Sequence, residues 1–327
     1  MKYTRLGRSG LEVSRIALGT MNFGRQTEAS DAWRIMDDAH EFGINFFDTA
    51  NVYGVDRFDN LASDSGRGRT EELIGEWFAG GAGRRERTVL ATKLYNPMED
   101  WPNSGRLSAL AIRRQCDASL KRLRTDYIDL YQFHHIDRDT RWEEIWEAVE
   151  VLRMQGKVLY TGSSNFAGWH LALANSVAQH RNQLGLICEQ SIYNLINRSI
   201  ESELIPAAEH YGVSVLPWSP LHGGALAGAA PGMRRRDGRG ADARRRNRAQ
   251  LDDYQKLCAE IGHQPAGVAL AWLLHQPAVA APIVGPRTRE HLAAAVAALD
   301  VELGPDALAT LDQIFPGHQP APEDYAW

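Results

Sequence analysis

The sequence predicts an α/β protein, a (β/α)8 TIM barrel with an N-terminal β-hairpin and a C-terminal tail over the barrel mouth, and three observations lead there. Short β-type runs alternate with helix-length amphipathic stretches along most of the 327 residues. Eight such runs follow the first turn: IALGT, NFFDTA, VLATK, IDLYQFH, LYTGSSN, LICEQ, VSVLPW and APIVG. Strands alternating with helices imply a parallel sheet with right-handed crossovers, and eight units over about 300 residues suit a closed barrel. The first run leads into LGTMNFG, with no GxGxxG entering a helix and no acidic residue about 20 positions on, which disfavours a doubly wound dinucleotide fold.

Lys2 to Leu6 and Leu11 to Val13 are extended pieces around a turn holding Gly7, Ser9 and Gly10, which predicts the hairpin. Ile112, Cys116, Leu120 and Leu123 recur at helical spacing, and Trp142, Ile145, Trp146, Val149 and Leu152 form a second apolar stripe. Both read as core-facing helix surfaces. Ala229 to Ala249 is irregular and carries Arg234, Arg235, Arg236, Arg239, Arg244, Arg245, Arg246 and Arg248 against only Asp237 and Asp242. It is either a solvated, mobile loop or a phosphate-binding flap that orders on a ligand. The tail from Pro316 to Trp327 is either frayed or folded over the mouth, and residues 1–327 read as a single barrel domain.

Composition removes several function classes. Thirty-six Lys and Arg against 41 Asp and Glu give a net charge of -5, so no global basic field recruits nucleic acid or a membrane surface. Cys116, Cys188 and Cys258 are odd in number and far apart, which builds neither a disulfide framework nor a CxxC zinc site and suits a reducing cytoplasm. No window approaches the roughly 18 apolar residues of a membrane span. The expectation is a cytoplasmic protein with a small-molecule partner and no metal.

In such a barrel, chemistry is expected where strands end and βα loops begin. Asp48 ends NFFD, Tyr53 follows in the loop, Lys93 ends VLATK and His134 ends IDLYQFH, so three consecutive strands aim an acid, a phenol, an ammonium and an imidazole at one mouth. A phenol with an ordinary pKa of about 10 donates poorly at neutral pH unless a nearby cation stabilises its phenolate, and Lys93 is that cation. Asp48 holds Lys93 charged, because a buried unpaired ammonium loses its proton. His134 then donates a hydrogen bond to a substrate oxygen. In a continuing strand His134 and His135 point to opposite sides; His134 shares parity with Gln132, and His135 with Tyr131 and Phe133 on the helix-facing side. His134, His135, Asp137 and Asp139 also raise a metal-dependent hydrolase, against which stand those divergent directions and the lack of HxH on the first strand.

Read together and in this order, GINFFDTANVYG, ATK, DLYQFHHID, GKVLYTGSSNF, QSIYNL, PWSPLHGG and PIVGPRT resemble the signatures of the aldo-keto reductases, over residues 3 to 315. The resemblance implies a (β/α)8 barrel that binds NADPH without a Rossmann fold and reduces aldehydes or ketones by hydride transfer. Its tetrad falls on Asp48, Tyr53, Lys93 and His134, with Tyr53 the general acid. It implies coenzyme contacts at Gly19, Thr20, Met21 and Asp48, at Asn165 and Gln190 for the nicotinamide carboxamide with Ser164 beside them, and at Trp218 stacked on the ring. Ser219, Pro220, Leu221 and Gly223 match the loop over the pyrophosphate, although Gly228 is followed by Ala229 where relatives commonly carry lysine; the Arg-rich run is its expected replacement. Gly285, Arg287, Thr288 and His291 match the segment that binds the adenosine 2'-phosphate, with His291 and Ala295 departing from the usual Gln and Asn.

Met21, Phe23, Tyr95, Trp101 and the terminal aromatics are candidate pocket walls. FHHID, SSNFAGWHLA and WSPLHGG resemble actinobacterial reductases of nucleotide-linked 4-keto-6-deoxyhexoses, which act at sugar carbons 2 and 3 and whose substrate is a nucleotide sugar. A rival of another class is a non-catalytic NADPH-binding regulatory subunit on the same fold.

Overall fold

The computed structural model describes residues 1–54, 66–228 and 239–326. Tyr3–Arg5 (β1) and Glu12–Ser14 (β2) pair antiparallel as the predicted hairpin. Eight parallel strands follow: Ala17–Gly19 (β3), Phe46–Asp48 (β4), Val89–Leu94 (β5), Ile128–Phe133 (β6), Val158–Ser164 (β7), Leu186–Gln190 (β8), Ser214–Val215 (β9) and Ile283–Val284 (β10). Their order is β10-β3-β4-β5-β6-β7-β8-β9. The ends meet through a parallel bridge between Val215 and Val279 and through Ile283 N–H donating to Pro217 O at 2.9 Å.

Helices Ala29–Glu41 (α1), Arg69–Ala79 (α2), Ala109–Leu123 (α3), Trp142–Met154 (α4), Gly168–His180 (α5) and Leu204–Tyr211 (α6) cross between successive strands from β3 to β9. Arg239–Arg246 (α7), Arg248–Glu260 (α8) and Pro265–His275 (α9) precede β10; Arg289–Ala297 (α10), Pro305–Ile314 (α11) and Glu323–Ala326 (α12) follow it. Both predicted apolar stripes face inward. Ile112, Cys116, Leu120 and Leu123 of α3 and Trp142, Ile145, Trp146, Val149 and Leu152 of α4 are buried. Each such aliphatic side chain contributes about 1.5 to 3 kcal/mol on burial. The start of α3 is fixed by Ser108, whose hydroxyl accepts from Ala111 N–H at 3.3 Å.

Strand parity divides the barrel into layers. Phe46, Ala91 and Leu130 fill the lower interior together with Leu6 and Val13 of the hairpin, which thereby plugs the barrel floor. Phe47 and Leu90, and Tyr131 and Phe133, point outward into two of the helix-packed cores. Asp48, Lys93, Gln132 and Gln190 form the next interior layer upward, each at most 3% exposed. Gly162 on β7 is required there, since a Cβ would lie 2.5 Å from Cys188 Sγ and 3.2 Å from Gln132 Cγ.

One sequence expectation changes, and one open alternative is decided. The Arg-rich stretch is helical rather than loop from Arg239 onward, with Gly240 and Ala243, one helical turn apart, burying a face of α7 against the segment after β9; Arg234, Arg235, Arg236 and Asp237 lie outside the described residues. The tail is tied down as far as Ala321, whose N–H donates to Ser202 O at 2.7 Å, with His318 N–H donating to Glu201 Oε2 at 2.9 Å on the loop after β8. Tyr325 is 76% exposed and Trp327 is outside the described residues.

A buried charge joins α2, α3 and β5. Glu71 is fully buried and accepts from Thr92 Oγ1 at 2.6 Å and from Arg122 Nε at 2.7 Å. Arg122→Ala strands that carboxylate without its cation and is expected to lower stability by about 3 kcal/mol. Urea denaturation measures it, and a loss below about 1 kcal/mol would place the pair in the class of solvated surface bridges.

Candidate active site

The site begins with β4 and β5, adjacent strands in which Asp48 pairs with Ala91. That register sets Lys93 one interior step above Asp48. Lys93 Nζ donates to Asp48 Oδ1 at 2.7 Å, to Thr49 O at 2.9 Å and to Tyr53 Oη at 3.1 Å. Three acceptors satisfy an ammonium's three protons. Asp48 Oδ2 in turn accepts from Gln132 Nε2 at 3.1 Å and from Gln190 Nε2 at 2.8 Å, so one carboxylate gathers β4, β5, β6 and β8.

Burial pulls the Lys93 ammonium down, but the charges and hydrogen bonds of Asp48 and Tyr53 carry it above its ordinary value. Lys93 is therefore a fixed positive charge at neutral pH. Burial raises the Tyr53 phenol, and Lys93 opposes that rise through its charge and its hydrogen bond. The cation acts on the phenol as the residue types predict, but burial outweighs it. Tyr53 is 7% exposed and sits edge-on to His134, ring centroids 6.0 Å apart.

His134 N–H donates to Leu94 O at 2.9 Å, which brings the residue over the end of β5. Burial, Lys93 and His135 hold its imidazole well below the ordinary pKa, so it is neutral. Asn96 Nδ2 lies 3.2 Å from His134 Nδ1; with the amide as donor, the ring proton is on Nε2. The expected opposition of His134 and His135 is corrected. β6 ends at Phe133, the alternation stops with it, and the two rings stack at 5.0 Å with a 4° interplanar angle. Tyr95 meets His135 edge-on at 5.4 Å, so rings run in contact from Tyr53 through His134 and His135 to Tyr95.

The residues expected at a coenzyme lie on the ends of the remaining strands. Thr20 closes β3 onto β4 by donating Oγ1 to Asp48 O at 2.9 Å; Gly19 precedes it, and Met21 beside it is half exposed. Ser164 Oγ donates to Gln190 O at 2.8 Å. Asn165 takes the left-handed conformation at φ +60°, which asparagine tolerates, and its side chain is exposed at the rim. Its Nδ2 donates to His134 O at 3.1 Å and its Oδ1 accepts from Trp218 Nε1 at 3.1 Å. Ser219, Pro220, Leu221 and Gly223 form the tight turn after Trp218, with Ser219 and Gly223 at positive φ. Gly285 follows β10, Thr288 caps α10 by accepting from His291 N–H at 3.3 Å, and Arg287 Nη2 contacts Gln26 Oε1 on the loop after β3. A cavity of about 410 Å³ opens between that turn region and α7–α8, lined by Ala225, Gly228, Arg244, Arg245, Arg248 and Leu251 among others.

Other candidates separate from the site. Phe23 is fully buried in a helix-packed core rather than in a pocket wall, whereas Trp101 is 72% exposed. Asp137 accepts from Leu107 N–H and Thr140 Oγ1 and pairs with Arg106, as does Asp139, so these acids brace loops. Among the described residues no group of three or more His, Cys, Asp or Glu is arranged to hold a metal ion. Sequence reasoning missed Glu189, Ser163, Ser191 and Asn96, and used Gln132 only as a marker of parity. For Gln132 and Glu189 the available signal was a polar side chain inside an apolar strand.

Glu189 is fully buried, and burial pushes its carboxyl up to about 7 despite hydrogen bonds from Ser163, Ser191 and Phe166 N–H. A carboxyl raised from 4.5 in the unfolded chain contributes stability that is complete below pH 4.5 and is lost as pH rises through 7, about 3 kcal/mol in all. Glu189→Gln should flatten that part of the stability curve, as followed by denaturant midpoints from pH 4.5 to 8.

The model of the aldo/keto reductase family matches residues 15–315. The uncharacterized oxidoreductase YrpG of Bacillus subtilis (strain 168) is 50% identical over the full length of both chains. Versiconal hemiacetal acetate reductase of Aspergillus parasiticus is 32% identical, with 96% of this chain and 97% of that one aligned. Aryl-alcohol dehydrogenase [NADP(+)] of Phanerodontia chrysosporium is 30% identical over 96% of this chain and 87% of its own.

Proposed function

This chain belongs to the aldo/keto reductase family and is an oxidoreductase, and on that premise we propose that it is an NADPH-dependent carbonyl reductase with Tyr53 as general acid. The observation that carries the reading is Lys93 Nζ donating at once to Asp48 Oδ1 and Tyr53 Oη inside the barrel. Structural stability does not call for an ammonium held against a phenol, whereas a phenol that must release a proton does.

The residues at the rim suit the coenzyme. An exposed asparagine amide beside a serine hydroxyl offers the donor and acceptor a carboxamide needs, and Arg287 with the capped N-terminus of α10 offers charge-assisted bonds to a phosphate. NADPH, when bound, supplies the hydride. Tyr53 O–H gives its proton to the carbonyl oxygen, and Lys93, kept charged by Asp48, stabilises the phenolate left behind. Neutral His134 donates from Nε2 to the same oxygen and orients it. Arg244, Arg245 and Arg248 on the cavity wall stand in for the lysine missing after Gly228. In this reading residues 1–327 act as one barrel domain in the cytoplasm, where the three buried cysteines stay free.

The ring series from Tyr53 to Tyr95 supports a flat, aromatic or conjugated carbonyl substrate. A nucleotide-linked 4-keto-6-deoxyhexose is the second reading, favoured only by the cluster of arginines beside the cavity. NADPH consumption with 4-nitrobenzaldehyde, methylglyoxal and an enzymatically generated nucleotide 4-keto-deoxysugar separates them. Preference for the aromatic aldehyde is expected, preference for the sugar nucleotide reverses the substrate assignment, and NADPH binding without turnover of any panel member favours a regulatory subunit.

Tyr53→Phe should cut turnover by about 100- to 10,000-fold while NADPH still binds. Retained turnover removes Tyr53 from the acid role. Arg244→Ala combined with Arg248→Ala should raise the NADPH dissociation constant about tenfold or more, the loss of one or two charge-assisted bonds. An unchanged constant in a binding titration would free both arginines from the coenzyme.

A further inference from the structure

We propose that Glu189 is a positioning residue for the nicotinamide end of the coenzyme, acting through Ser164 and Asn165; the inference rests on the NADPH reading above. The carboxylate lies outside the barrel wall. Cys188 and Gln190, its neighbours on β8, reach Gln132 and Asp48 in the interior, so alternation sends Glu189 to the other face, beneath the start of α5. It is fully buried there.

Its partners explain its presence. Oε2 accepts from Ser163 Oγ, and Oε1 accepts from Phe166 N–H at 3.1 Å and from Ser191 Oγ at 2.7 Å. Ser163 and Phe166 flank the dipeptide Ser164–Asn165, so a single carboxylate grips the chain on both sides of the two rim residues. Between those grips Asn165 holds φ at +60°, the left-handed turn that asparagine tolerates and that the bonds on either side fix in place. The main chain of the same β8 end completes the hold. Asn165 N–H donates to Gln190 O at 3.0 Å, and Glu189 O accepts from Leu216 N–H at 2.8 Å, two residues before Trp218.

A hydrophobic side chain at 189 would fill the space between wall and helix without the cost of burying a carboxylate. What it would not do is bond to both sides of Asn165, whose side chain spans from His134 O to Trp218 Nε1 across the mouth. The carboxylate thus sets the rim amide against the catalytic imidazole's backbone and the indole in one geometry.

The test compares two ligands on the intact protein. NADPH carries the nicotinamide, and adenosine 2',5'-bisphosphate carries only the adenine end. Glu189→Ala is expected to weaken NADPH by about tenfold or more, the loss of positioned charged hydrogen bonds, while affinity for the bisphosphate stays unchanged. Glu189→Gln, which still accepts from Phe166 N–H and Ser191 Oγ, should restore most of the NADPH affinity. If Glu189→Ala does not fold, Ser163→Ala with Ser191→Ala keeps the carboxylate, removes two of its donors and should show the same selective loss. Equal weakening of both ligands, or weakening of neither, overturns the proposal and leaves the NADPH reading standing. Failure of the wild-type chain to bind NADPH overturns that reading and the proposal with it.

Discussion

The ion pair between Lys93 and Asp48 is the constraint around which the barrel mouth is arranged. Both side chains are buried, and an isolated ammonium or carboxylate in such a place costs several kcal/mol after relaxation. The surrounding layer exists to meet that cost. Thr49 O and Tyr53 Oη complete the ammonium's bonds, and Gln132 and Gln190 occupy the carboxylate's second oxygen. The phenol, placed within this closed set, cannot leave the cation without unsatisfying it.

The same logic explains the layering below and around it. A polar layer of this kind needs a dry floor and walls without play. The hairpin supplies the floor by inserting Leu6 and Val13 among the lower interior side chains. The walls are braced from outside by two further buried carboxylates, Glu71 between α2, α3 and β5 and Glu189 between β7, β8 and the start of α5. Glu71 has a cation against it; Glu189 has none, and burial carries its carboxyl up to about 7 although hydroxyls and a backbone N–H donate to it. The three carboxylates differ in their partners and agree in tying strand ends together.

Much of this was legible in the chain. Asp48, Lys93 and Gln132 stand on the interior parity of their strands, and a polar residue ending an apolar strand of a parallel barrel has the mouth as its natural place. The apolar stripes of α3 and α4 were equally plain, since helical spacing selects one face. The site's electrostatics were half legible: the effect of Lys93 on Tyr53 follows from residue types, but the larger effect of burial depends on how tightly the loop after β4 closes. His135 was misread because parity holds only while the strand lasts, and nothing in FHHID marks where pairing stops.

By itself the sequence determined the alternation of strands and helices, the barrel it implies, and which side chains each strand offers to the interior, because these follow from local periods of two and of 3.6 residues. Only the tertiary structure decided who meets whom. Gln190 reaches Asp48 across 142 residues of chain, and Glu189 meets Phe166 across 23. Such pairings depend on strand register, on one bulge between β7 and β8 and on the left-handed turn at Asn165. Hydrogen bonds of this kind are set by positions of a few tenths of an ångström that no local pattern encodes, and they are what turn a row of polar strand ends into a site.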